Sequence, residues 1–61
     1  MTKAQYDKAI RIIETLRQAQ SDIDKLLGKL DARDGLPWIG LPAALEAVIE
    51  QAAYATAENV S

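Results

Sequence analysis

The feature that most constrains this chain is a run of residues, Tyr6, Ala9, Ile13, Leu16, Gln20, Ile23, Leu27 and Leu30, spaced alternately three and four apart without a slip. That spacing is the a/d seam of an α-helix packed lengthwise against other helices, and a strand would need a period of two instead. Thr2 and Gln5 have the capping-box form, in which a hydroxyl and an amide side chain satisfy two orphan N–H groups at a helix start. The pattern predicts a helix over about 3–31. Ile12, Ala19 and Leu26 flank the seam on one side and Ile10 on the other, so the apolar stripe is wider than a two-stranded coiled coil requires. Lys3, Asp7, Arg11, Glu14, Gln18 and Lys25 occupy the opposite, solvated face.

The periodicity breaks between Asp31 and Gly35. Asp-Gly is a turn signal, and Pro37 and Pro42 bias Leu36 and Leu41 away from the α region, which predicts a loop over about 32–41. Leu36, Trp38, Ile39 and Leu41 make it an apolar loop, and most of it is expected to fold back over the end of the helices, because exposing four such side chains is unfavourable. Pro42 suits the first position of a second helix, over about 42–59, where a missing N–H is harmless. In that Ala-rich helix Leu45, Val48, Ile49, Ala52, Ala53 and Thr56 form the expected inward stripe.

Length decides what such a chain must do next. Sixty-one residues make a single domain, 1–61, and bury only about 60% of the unfolded surface, so a solitary monomer is marginal. With no cysteine and no histidine, disulfides and the common zinc and haem ligand sets are excluded. Oligomerisation is the remaining staple. The expected fold is therefore all-α: an antiparallel two-helix hairpin of a long amphipathic helix, an apolar Pro/Gly/Trp loop and a shorter Ala-rich helix, completing a four-helix bundle as a dimer.

At 1.5 Å per residue the first helix would overhang the second by about 16 Å at its N-terminal end. Tyr6, Ala9 and Ile10 lie there, and with Ile13, Leu16, Gln20 and Ile23 they form the expected self-association set. Gln20 is the polar member of the seam. It has two readings: setting register by pairing across the dimer axis, or snorkelling to the edge and specifying nothing.

Hydrophobic residues at 49% and charged residues at 26% indicate a chain that folds. The charge-free stretch from Gly35 to Leu45 is far shorter than a membrane span and holds two prolines. The N-terminus shows no apolar segment behind a basic one, so a cytoplasmic site is the expectation. Catalysis is disfavoured, since no histidine or cysteine is present and a hairpin offers little concavity. No cofactor and no metal site is expected. Glu46 and Glu50 share a face at i,i+4, but the Glu-x-x-His element of di-iron bundles is missing, so a solvated acidic face is preferred.

All seven basic and six of the acidic side chains fall in residues 1–34, while 35–61 hold only Glu46, Glu50 and Glu58. With a net charge of −2, the small basic edge of Lys25, Lys29 and Arg33 gives little affinity for nucleic acid. In outline, and at Met1-Thr2-Lys3, Gln18 and Lys25-Leu26, the chain resembles the Rop family of plasmid copy-number proteins. That resemblance implies a dimer of hairpins gripping paired RNA loops. Ile10 and Glu14 depart from what an RNA-gripping face would hold, and the long apolar loop departs from that family's tight turn.

Three function classes follow. The leading one is a non-catalytic, homo-oligomeric protein–protein interaction module, an adaptor or accessory subunit that binds itself and a further protein. The second is an acidic inhibitor or regulator, of the kind mobile elements encode, that docks Glu46, Glu50 and Glu58 on a basic site of an enzyme or DNA-binding protein. The third is Rop-like RNA binding. Trp38, with Ile39 beside it, reads either as a plug at the open end of the bundle, which is preferred, or as a partner anchor. Insertion of this loop at a membrane surface is opposed by Asp31 and Asp34.

Overall fold

A computed structural model describes residues 1–58. Helix α1 (Lys3–Leu27) is followed by a one-turn helix α2 (Ala32–Gly35), a 3₁₀ turn (Leu36–Trp38) and helix α3 (Leu41–Glu58), with no strand among the described residues. The chain is an all-helical hairpin, and α1 and α3 form its one extensive contact.

The capping box is present in full. Thr2 Oγ1 accepts from the Gln5 backbone N–H at 3.2 Å, and Gln5 Oε1 accepts from the Thr2 N–H at 2.9 Å. The far end of α1 departs from expectation, because the helix stops at Leu27 rather than near 31. Gly28 carries a helix-interior entropic cost, and Asp31 has a competing use: in an extended conformation its carboxylate accepts from the Asp34 N–H at 2.8 Å and caps α2.

The expected loop over 32–41 is correspondingly a chain of short helical turns. Leu36 sits in the right-handed helical region despite the following proline, and the helix boundary falls at Leu41 rather than Pro42. Gly40 supplies the first acceptor of α3, taking the Ala44 N–H at 3.1 Å. Pro42 therefore occupies the second helical position, where its missing N–H is equally harmless. Of the span expected to reach about 59, the final residue lies outside the described ones.

Leu36 and Ile39 are 68% and 69% exposed, whereas Trp38 and Leu41 are 38% and 39% exposed, so the apolar turn is covered only in part. Two physical reasons account for this. Successive helical turns radiate their side chains around a short axis instead of collecting them on one side. The hairpin itself is only 16 × 11 Å in cross-section and presents little end surface to cover them.

Along α3 the inward stripe is Pro42, Leu45, Glu46, Ile49, Ala52 and Thr56, while Val48 and Ala53, expected inside, are exposed. A single contacting helix buries a narrower arc than a bundle does, and Val48, about 100° round the helix from Ile49, falls outside it; Ala53 is exposed although it lies only about 40° from Ile49. Ile49 is fully buried, the one hydrophobic side chain so enclosed among the described residues. Thr56 is buried too, and its hydroxyl donates to the Ala52 carbonyl at 2.7 Å, which removes the penalty of an unsatisfied polar group.

Two stability outcomes follow. Ile49→Ala should lower stability by about 2–5 kcal/mol, the range for emptying a buried aliphatic site, and melt most of the helicity seen by circular dichroism. Gly28→Ala should raise stability by about 0.4–1 kcal/mol in a urea titration. Gly28 has φ −66°, and an added Cβ would sit 3.5 Å from the Lys25 carbonyl oxygen, an ordinary contact.

Candidate interaction site

One polar clip joins the two long helices. Gln20 Nε2 donates to the Pro42 carbonyl at 2.9 Å and to Glu46 Oε2 at 3.0 Å, both partly buried. Neither sequence reading of Gln20 describes this arrangement. Its amide is used inside one chain, tying the middle of α1 to the first turn of α3. With antiparallel helices rising equally per residue, the clip puts Ile49 near the level of Leu16 and Thr56 near that of Ala9.

The seven residues expected to mediate self-association, Tyr6, Ala9, Ile10, Ile13, Leu16, Gln20 and Ile23, are all half-buried. Six of them follow the seam that α1 turns towards α3, so much of their apolar surface is used in making the hairpin; Ile10 stands beside that seam. Of the acidic set, Glu46 is half-buried against Gln20, whereas Glu50 and Glu58 are exposed. The acidic face thus holds two outward carboxylates rather than three. Trp38 and Ile39 are exposed on the turn, and Ile39 also borders a hollow of about 220 Å³ with Leu27, Leu30 and Gly35.

Helical phase determines where the other large apolar side chains lie. At about 100° per residue, Ile12, Ala19 and Leu26 project to one side of the line along which α1 meets α3. Leu41, Val48 and Ala55 project to the same side from α3, because reversing the helix direction reverses the sense of rotation. Each trio is spaced by seven residues. Ile12 and Val48 are 52% and 50% exposed, and Leu26 and Leu41 more than a third. The opposite broad face carries Arg17, Asp24, Glu46 and Glu50 with Ile10 and Ala53. By the same phase Lys8 and Thr15 lie on the Ile12 side and Asp22 at its edge, so this face is the more apolar of the two rather than free of charge.

The seven-residue spacing of Ile12, Ala19 and Leu26 was visible in the sequence. The matching row Leu41, Val48 and Ala55 was obscured, because an Ala-rich helix offers little contrast for judging which side faces inward. Tyr54, exposed on the outer edge of α3, carried no signal at all.

An open groove of about 680 Å³ runs along the flank of α1 past Ala4, Asp7, Lys8, Arg11, Ile12 and Leu16. Thr15 lies in it with its hydroxyl donating to the Arg11 carbonyl at 2.9 Å. Among the described residues no three His, Cys, Asp or Glu side chains come together as metal ligands, and no helix is long and apolar enough to cross a membrane. Comparison with protein-family models, curated proteins and solved structures finds no match to this chain.

The clip can be tested by a double-mutant cycle. Gln20→Ala and Glu46→Ala should couple by about 0.5–3 kcal/mol in chemical denaturation. Additivity within about 0.3 kcal/mol would mean that the hydrogen bond contributes nothing to the hairpin.

Proposed function

We propose that this chain is a small, non-catalytic, self-associating helical interaction module, an adaptor or accessory subunit whose hairpin is one half of a larger helical bundle. The observation that carries this reading is the mismatch between the size of the chain and its exposed surface. A compact domain of this length has a radius of gyration of about 10 Å, whereas this one has 14.4 Å and measures 46 × 16 × 11 Å. Its accessible surface is 4791 Å². A monomeric globular protein of its 6.7 kDa mass exposes about 3,900 Å². The surplus, about 900 Å², is close to the roughly 800 Å² that each partner contributes to a standard-size protein interface.

The turn supports the second half of the reading. Leu36, Trp38 and Ile39 lie on the turn at one end of the rod, and an aromatic with exposed aliphatic side chains near it in sequence offers anchors for a further protein. A cytoplasmic site suits a chain without cysteine. The alternative, acidic docking on a basic site, retains one favouring observation: α3 has no basic residue, and Glu50 and Glu58 are exposed on it.

Light scattering and sedimentation equilibrium test the proposal directly. The expected mass is at least twice that of the 6.7 kDa chain at micromolar concentration. A well-folded helical monomer persisting to about 1 mM, the concentration at which association is worth only about 4 kcal/mol, would overturn it.

A further inference from the structure

The broad face bearing Ile12, Ala19 and Leu26 of α1 and Leu41, Val48 and Ala55 of α3 is the one the structure assigns to a second copy of this chain; we infer that two hairpins pack through it, face to face. This inference rests on the self-association proposed above and adds which surface performs it.

Two observations point to the face and a third to a partner of the chain's own size. First, it collects the four large apolar side chains that α1 and α3 leave exposed on one broad side, Ile12, Leu26, Leu41 and Val48, with Lys8 among them, whereas the reverse side carries Arg17, Asp24, Glu46 and Glu50. Large apolar side chains grouped on one exposed side of a helix pair mark a surface that a partner covers. Second, each helix contributes a row at intervals of seven residues. An undistorted helix drifts by only about 20° per heptad, so each row stays on one side for its whole length and can meet a facing helix continuously. Third, the rod as a whole exposes about 900 Å² more than expected for its mass, which bears on the size of a partner rather than on its place and matches what one partner of a standard interface covers. A second copy supplies an equal area of the same shape and chemistry, which is the condition for an isologous contact.

Alanines 19 and 55 are part of the fit. Placed between or after the larger members of their rows, they leave low points into which the bulk of Ile12, Leu26 or Val48 from the other copy can settle, and so permit close packing of the two layers. The Tyr6 to Ile23 seam then belongs to the contact within each hairpin, and the Ile12 row belongs to the contact between hairpins. This divides the wide stripe of α1 between two neighbours. The polar reverse face stays in water.

The chain has no native cysteine, so an introduced thiol reports a single position. Val48→Cys should be alkylated by a maleimide at least tenfold more slowly in the associated protein than after dilution to monomer. Glu50→Cys, two residues on and on the charged side, should react at the same rate in both states. Ile12→Cys should follow Val48→Cys, and Ala53→Cys should follow Glu50→Cys. None of these positions is buried within the hairpin, and circular dichroism on each variant confirms that the helices are intact. If the protein associates but Val48→Cys and Ile12→Cys are as reactive as Glu50→Cys, the face is wrong while self-association stands. If scattering shows a monomer throughout, both fall.

Discussion

Two helices meet along a single line, and everything else in this molecule depends on that limit. A helix in a bundle is sheltered from several directions. In a hairpin only the arc facing the one neighbour is sheltered, and burial falls off within a residue or two on either side. Hence Ile49 is fully enclosed while Val48, one position away in sequence, is half exposed. With so little apolar burial, a polar contact takes an unusual share in specifying the arrangement. The Gln20 amide, reaching both the Pro42 carbonyl and the Glu46 carboxylate, marks one vertical alignment of α1 on α3 among several that a smooth apolar seam would tolerate.

The helices of this fold were legible in the sequence because they are written in strong, redundant signals. The capping box at Thr2 and Gln5 and the unbroken seam from Tyr6 onward both specify the start of α1, and the structure has both. The end of α1 and the turn were less legible for a physical reason. Asp31 can close one helix or open the next, and its neighbours in sequence do not show which; in the folded chain its carboxylate opens α2. Proline rules likewise describe tendencies of the preceding residue, and Leu36 adopts helical angles all the same.

The candidate surface was only half legible. The row of Ile12, Ala19 and Leu26 stood out beside the seam, whereas its counterpart on α3 depended on knowing which side of that helix met α1. Among so many alanines the difference between Val48 and Ile49 is invisible until the partner helix is placed. Glu46 shows the same limitation from the polar side. Its spacing from Glu50 suggests a shared solvated face, yet its proximity to Gln20 is a property of the hairpin as a whole and has no local signature.

The turn holds a consequence of another kind. No residue in the described chain has a positive φ, and Gly28, Gly35 and Gly40 all keep to the conformations open to any amino acid. Nothing within 4 Å of Gly40 would meet an added side chain, and the atoms near Gly28 and Gly35 lie at ordinary contact distance. Reversal of the chain direction is achieved by stacking short right-handed turns, so it does not depend on glycine at any one point. A segment of this construction can diverge in evolution with little effect on the scaffold. Its exposed tip, where Leu36 and Ile39 now stand, could be rewritten for new binding specificities while the two long helices retained their sequence.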